Sequence, residues 1–571
     1  MKRRTAWILV AGVAAVAVGA AAVGGLALAL RGRGAGWSAN NYLYLDLQGE
    51  ISEEPPSSDL GAIFERQPPS LRTLVESLER AADDPRVSAV VLRVSILPDS
   101  GWATVQELRD AVGRFRRSGK PAYAHLEFCG NKEYYLASGC DKIYAIPSAL
   151  IELTGLRSEV SFFKGTLDKV GIQAQFEGVG KYKNAPNQFT ESGFTEPHRE
   201  QMDALLDSLY GQFVAAIAQG RRRTPEEVRA VIDAGPYDGP SALRAGLVDE
   251  LVYKDQLDAR LKGASRLTPG RYVKGSRGFG FGFDGRPKIA LVYVVGDIIP
   301  GRSQGSPLGG GFAGSDTVAE AVKDAREDGA IRAVVLRVDS PGGSGTASEV
   351  IWREVALARQ KKPVVVSMGD VAASGGYYVA MGSDAIVAEP GTITGSIGVF
   401  GGKFSLHGLY DKIGISKEIL LRGRRADVFS AYRPWSDDER ARMRELMESF
   451  YRDFVTKVAQ GRHRSYEDID AIAQGRVWTG AEAQRNGLVD RLGGFALALD
   501  IAKEKAKIGK GEEVRLVILP ERKGLLEQLL ERQDDGAQTA LPADVRALLR
   551  WASALGDGQP LARLPFDLRV F

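Results

Sequence analysis

Histidine and cysteine are scarce, four and two in 571 residues, and their scarcity removes several chemistries at once. His125, His198, His407 and His463 stand far apart, so no spacing suits a His-based metal site. Cys129 and Cys140 form neither a disulfide framework nor a C-x-x-C metal pair; an oxidising compartment would allow them to pair, but they read first as two small buried thiols. Net charge is nearly absent as well: +3 over the whole chain, too little to argue for nucleic acid as a partner. Hydrophobic content of 44% and charged content of 26% are ordinary for a globular protein. The length calls for two or more domains. One stretch lacks charge altogether. Ala6–Leu30 is uncharged, preceded by Lys2, Arg3 and Arg4 and followed by Arg31 and Arg33. It is long enough to span a bilayer and longer than the apolar core of an ordinary signal peptide. We therefore expect an N-terminal transmembrane anchor in residues 1–33. A cleaved signal, with an A-x-A site such as Ala20-Ala21-Ala22, is the competing reading, and either one carries the bulk of the chain out of the cytoplasm.

What is present in abundance is self-similarity. AVVLRV occurs at Ala89–Val94 and again at Ala333–Val338. Tyr134-Tyr135 and Asp141 recur as Tyr377-Tyr378 and Asp384, an offset of 243. Asp168–Ile172 recurs as Asp411–Ile415 at the same offset, and Gly246–Asp249 as Gly487–Asp490 at 241. Such collinearity marks a tandem duplication. Each copy alternates β-branched runs with helical patterns, in the second copy Ile289–Val295, Ala333–Val338, Val364–Ser367 and Ala385–Ala388. That alternation predicts an α/β fold around a mainly parallel sheet. The expected division is a first copy over 41–262, a glycine-rich linker over 263–287, a second copy over 288–512 and a tail over 513–571.

The copies disagree where chemistry would sit. In Val364–Gly382 a strand-like run ends in Ala372-Ala373-Ser374-Gly375-Gly376, ahead of an apolar helical stretch. A hydroxyl among near-naked residues at a strand-to-helix turn has the geometry of an exposed nucleophile, with the following N–H open to an oxyanion. At offset 243 the first copy has Asn131, Lys132 and Glu133 in place of Ser374, Gly375 and Gly376. Ser138, in a superficially similar LASG, falls opposite Met381 inside a helix and reads as structural. Lys183, in turn, meets Ala426. A serine retained in one copy and a lysine retained in the other is the residue of a single site divided between them. A lysine serves as base once burial lowers its pKa from about 10.4. The Asp339–Gly345 loop, DSPGGSG, offers open backbone N–H groups after a strand; its spacing fits neither a P-loop nor a dinucleotide fingerprint.

On these residues the chain resembles the long, duplicated form of the bacterial signal peptide peptidase A family (protease IV), of the Clp-protease/crotonase superfamily. The resemblance runs from about Asn41 to Gly509 and rests on DSPGG at Asp339–Gly343, AASGGYY at Ala372–Tyr378, TGSIGVF at Thr394–Phe400 and GKYK-A at Gly180–Ala185. It implies Ser374 as nucleophile, Lys183 as general base from the first copy and Ser396 as the hydroxyl orienting the lysine. Gly375 and Gly343 would supply oxyanion N–H groups. It further implies no metal, nucleotide or other cofactor and peptide substrates such as remnant signal peptides. The assembly it implies is a homotetramer anchored in the bacterial inner membrane, with the catalytic domains on the periplasmic side. Three other readings stay open on the residues alone: a Ser/His peptidase using His407, a crotonase-like acyl-thioester enzyme, and a non-catalytic peptide-binding scaffold.

Overall fold

A computed structural model of the chain describes residues 38–54, 69–261, 263–276, 285–305, 311–520 and 561–563. The expected anchor lies outside these residues. Among the described residues no helix is long and apolar enough to cross a membrane.

Two sheets carry the two copies. In the first, parallel strands Lys142–Ile151, Ala122–Cys129, Val87–Val94 and Asn41–Leu47 lie side by side, with Ser265–Leu267 added at the far edge. In the second, Val364–Ala373, Ile331–Ser340 and Lys288–Val295 follow the same order, and Ala385–Ala388 pairs with the first of them. The edge strand of the second sheet is Arg515–Leu519, from the stretch after residue 513. Both AVVLRV runs are buried along nearly their whole length, as parallel strands covered by helices on both faces must be. Helices Glu196–Arg221 and Asp437–Arg462 correspond end to end at offset 241. Each stops at a left-handed residue, Arg222 (φ 54°) and His463 (φ 54°). The duplication and the α/β architecture read from the sequence are both observed.

The copies are tied together by backbone as well as side chains. Strand Gln173–Val179 of the first copy pairs antiparallel with Val399–Ser405 of the second, from Val399 opposite Val179 to Ser405 opposite Gln173. Met202 and Leu205 of the long first-copy helix pack with Ala373, Ile393 and Val477. Asp370, four residues before Ser374, accepts hydrogen bonds from the N–H groups of Gly101 (2.8 Å) and Thr104 (2.7 Å) and from Thr104 Oγ1 (2.7 Å). A carboxylate of the second copy thereby caps the helix Trp102–Arg116 of the first, satisfying donors that the helix cannot pair itself. Asp339, the first residue of DSPGG, is structural too. Its Oδ1 accepts from the Val371 N–H at 2.9 Å, and burial, with Asp370 and Glu53 nearby, pushes its carboxyl well above the usual range.

Candidate active site

The strand Val364–Ala373 ends at Ser374, and the helix Gly375–Ala380 starts one residue later. Ser374 turns the chain with φ 55° and ψ −111°, a conformation that L-residues avoid and that costs roughly 1–3 kcal/mol unless the surroundings impose it. They do impose it: the Ser374 N–H is bonded to Gly395 O at 2.8 Å, and its carbonyl accepts from the Tyr378 N–H at 2.8 Å. The neighbouring strand Ile393–Gly395 runs in register, Ala373 beside Gly395. Its next residue, Ser396, also has positive φ, 51°. Two parallel strands thus end in serines that are both fully buried.

Lys183 reaches this pair from the other copy. The chain leaving strand Gln173–Val179 is strapped to the Gln474–Arg476 turn through the Tyr182 N–H, which donates to Gln474 O at 2.9 Å. Gly475 (φ 75°) permits the approach, because a Cβ there would stand 2.6 Å from Lys183 Cβ. The same turn holds Ser396, whose N–H donates to Arg476 O at 2.7 Å. Lys183 Nζ ends 2.7 Å from Ser374 Oγ, 2.9 Å from Ser396 Oγ and 3.1 Å from Ser396 O. The lysine is 5% exposed. Burial alone, with no carboxylate beside it, holds its pKa well below the ordinary value.

The three contacts count out the protonation state that a base needs. A neutral amine has two N–H bonds and one lone pair. The two N–H groups match Ser396 Oγ and Ser396 O, which leaves the lone pair facing the Ser374 hydroxyl. An ammonium would place its third N–H on Ser374 Oγ. The same cradle therefore accommodates the amine before proton transfer and the ammonium after it.

Gly375 N–H lies in the first turn of its helix, where no intrahelical acceptor exists. Gly343 (φ 155°) sits in the short strand Gly342–Ser344, beside Ile298, whose carbonyl would be 2.2 Å from any Cβ at this position. The helix after Ser374 packs on this strand. A further strand, residues 561–563, pairs antiparallel with Gly342–Ser344 and meets Phe400 on its other side. The chain's own C-terminal region thus lies as an extended strand beside the candidate oxyanion glycine, a position no sequence pattern foretold.

At the corresponding place in the first copy the chemistry is sealed. Asn131 spends its side chain on backbone, donating to Gly155 O at 2.8 Å and accepting from the Thr154 and Gly155 N–H groups. Glu133, at the position of Gly376, accepts from the Leu97 N–H at 2.7 Å. Its carboxylate also accepts from the Gly130 N–H at 3.0 Å. Ser138 caps the helix Asn131–Ala137 and donates to Tyr135 O, the structural role expected of it. His407 starts the helix His407–Ile413, is half-exposed and pairs with Asp411 at 2.9 Å. Lys181 is exposed over the Tyr182 ring. Of the candidate bases, the geometry brings Lys183 alone into hydrogen-bond contact with Ser374. Sequence reasoning missed the Gln474–Arg476 turn that aims the lysine; its signal, a glycine beside a polar residue with positive φ, is too common to single out.

A buried serine in contact with a buried, neutral-prone lysine at a strand-to-helix turn is the arrangement of a serine hydrolase. Comparison with known proteins narrows the class. The profile described as peptidase family S49 matches residues 114–268 and 356–509. The chain is 36% identical over 489 residues to "Serine protease SPPA, chloroplastic" of Arabidopsis thaliana, covering 84% of this chain and 71% of that one. It is 32% identical over 539 residues to "Protease 4" of Salmonella typhi, covering 90% and 85%. A shorter relative, "Putative signal peptide peptidase SppA" of Enterococcus faecium, is 37% identical over 188 residues, covering 33% and 55%. The chain belongs to peptidase family S49, with two copies of the family's domain, and is a serine protease.

Proposed function

We propose that this protease works through a Ser374/Lys183 dyad divided between its two copies, and that it degrades cleaved signal peptides and other short apolar peptides. The observation that carries the reading is the 2.7 Å contact between Lys183 Nζ and Ser374 Oγ inside a buried, carboxylate-free pocket. Ser374 Oγ attacks the scissile carbonyl while its proton passes to Lys183 Nζ. The carbonyl oxygen, now an oxyanion, is received by the N–H groups of Gly375 and Gly343. Lys183 then returns the proton to the leaving amine, and the acyl group stays on Ser374. A water attacks that ester, gives its proton to Lys183, and the ammonium restores the serine hydroxyl. No third acidic residue is required, because an amine has no tautomer to fix; Ser396 provides the aim. The choice of substrate rests on the name of the Enterococcus relative and on the uncharged Ala6–Leu30 stretch. That stretch would hold the enzyme at a bacterial inner membrane, its catalytic domains on the periplasmic side, where such peptides remain after processing.

Ser374→Ala should abolish cleavage of casein or a synthetic peptide while leaving the unfolding temperature unchanged or slightly raised. The substitution removes one oxygen beside Ala373 and Gly375 and creates no cavity of consequence. Residual cleavage above background by the purified variant would remove Ser374 from the mechanism.

An unpaired strand equivalent supports a homo-oligomer. Gln173–Val179, which bridges the copies, corresponds at offset 243 to residues 416–422. That segment has no strand partner among the described residues. It exposes Ile419 and Leu421, and Leu420 is 92% exposed. A second chain would offer residues 156–162, the equivalents of Val399–Ser405; such a head-to-tail arrangement gives a ring where its rotation closes, and a tetrameric ring is our reading. Leu420→Asp should shift the particle toward the monomer mass in light scattering. An unchanged mass would place the interface elsewhere.

A further inference from the structure

One cleft among the described residues is unrelated to Ser374. It lies in the first copy, has a volume of about 660 Å³, and is walled by the end of helix Trp102–Arg116, by residues 138–142 and by the end of helix Glu196–Arg221. Two ion pairs frame it, Arg116 with Asp141 at 2.5 Å and Arg221 with Asp249 at 3.1 Å. Both recur in the second copy, as Arg359 with Asp384 at 3.1 Å and Arg462 with Asp490 at 2.5 Å. What both copies keep is scaffold.

The remaining cations of the cleft belong to the first copy only. Arg114, where the second copy has Leu357, is paired with Glu79 at 3.2 Å. Arg109, Arg117, Lys142 and Arg222 also line the cleft, and at the matching offsets the second copy has Trp352, Gln360, Ala385 and His463. Trp352 lies over Gly382, as Arg109 lies over Gly139, the equivalent glycine. An indole thus fills in one copy the space that a guanidinium lines in the other. None of the four first-copy cations pairs with a carboxylate among the described residues. Asp110 is the one remaining acidic residue of the lining. Arg109, half-buried, gives Nη1 to Tyr135 O (2.7 Å) and Ser138 Oγ (2.8 Å) and one Nη2 hydrogen to Ala216 O (2.8 Å). Those bonds fix the guanidinium plane and leave its Nε–H and second Nη2–H for another acceptor. Arg117, Lys142 and Arg222 are exposed around it. Asp110 and Asp249 offset part of this charge without forming ion pairs to these groups. The surplus of like charges around the cavity is relieved when an anion joins them, and guanidinium groups match phosphate oxygens in pairs.

We propose that this cleft binds a multiply charged phosphate-type anion, held by Arg109 within and by Arg117, Arg222 and Lys142 at the mouth. The anion is either a soluble phosphate compound or the headgroup of an acidic phospholipid, since both present the same oxygens. Divergence that removed the catalytic residues from this copy has thereby left it a separate binding task.

The test titrates the full chain with inorganic pyrophosphate at about 50 mM salt, where phosphate contacts are least screened, and follows heat. One saturable site per chain is expected. A variant carrying the second copy's residues, Arg117→Gln, Lys142→Ala and Arg222→His, should bind at least tenfold more weakly with unchanged peptide cleavage. Arg109→Trp, which fills the cleft, should abolish binding, and the triple variant keeps the test valid should the tryptophan disturb folding. Vesicles of phosphatidylglycerol or phosphatidylcholine separate the sources. A wild-type advantage over the triple variant confined to phosphatidylglycerol identifies the lipid headgroup. An advantage with pyrophosphate but not with vesicles identifies a soluble ligand. Absence of saturable binding to both probes, or equal binding by wild type and triple variant, overturns the proposal.

Discussion

Lys183→Arg and Lys183→Ala are both expected to lose on the order of three or more decades in kcat/KM, by analogy with removal of a member from other serine-protease sites. The pair of substitutions distinguishes charge from basicity. Arginine keeps a cation near Ser374, but a guanidinium does not deprotonate in a protein, so it can never accept the hydroxyl proton. Alanine removes both. If a positive charge were what the site required, arginine would rescue much of the activity. Comparable losses show that the neutral amine is the working form. The pH dependence has a definite sign. Burial holds the Lys183 pKa well below its ordinary value, and activity needs the unprotonated amine. Wild-type kcat/KM should therefore fall as pH drops through that lowered pKa and stay level above it, with the plateau reached below the ordinary lysine range. His407→Ala and Lys181→Ala should each keep most of the activity, because the histidine is engaged with Asp411 and the other lysine lies over Tyr182 in solvent. A dead His407→Ala beside an active Lys183→Ala would reverse the assignment.

Why the lysine was legible in one sequence, and its supports were not, has a physical explanation. Duplication supplies an internal comparison. Positions 131 against 374 and 183 against 426 differ in opposite senses, so chemistry can be inferred without knowing any distance. The strands were local properties of β-branched runs, and the structural role of Ser138 came from its place opposite Met381. The Gln474–Arg476 turn, the Asp370 cap on helix Trp102–Arg116 and the strand at residues 561–563 depend on contacts between segments hundreds of residues apart. Nothing in the local pattern of either partner records such a contact. One long-range feature did leave a trace. Arg337 interrupts an otherwise apolar run, AVVLRV, at a position where a buried strand has no room for an unpaired charge.

That residue carries the largest stability effect we expect. Arg337 is 3% exposed and donates from Nε and Nη2 to the two oxygens of Glu53, at 2.8 and 2.6 Å. Nη2 also reaches Glu107 at 2.9 Å, and Nη1 bonds Ser367 Oγ at 2.8 Å. Both carboxylates come from the first copy, so the guanidinium of the second copy neutralises its partner's buried acids. Arg337→Met would strand Glu53 and Glu107 without a counterion. The expected loss is about 3–5 kcal/mol of unfolding free energy, measured by denaturant titration. Its counterpart Arg93 is partly exposed, pairs with Asp46 and Glu127 of its own sheet, and should cost under about 1 kcal/mol when replaced by Met. Burial already raises the Glu53 carboxyl, and Arg337 is the main group opposing that rise. Removing it lifts the pKa further above the unfolded value. A carboxyl so displaced favours folding while protonated and loses that contribution as pH climbs through its folded pKa. The deficit of Arg337→Met should accordingly be widest near pH 8 and narrow on acidification toward pH 5. Adding Glu53→Gln and Glu107→Gln to the same chain should recover much of the loss, because the unpaired charges are then gone. Should Arg337→Met unfold within about 1 kcal/mol of wild type at pH 8, the buried cluster is not what holds the lysine-bearing copy against the serine-bearing one.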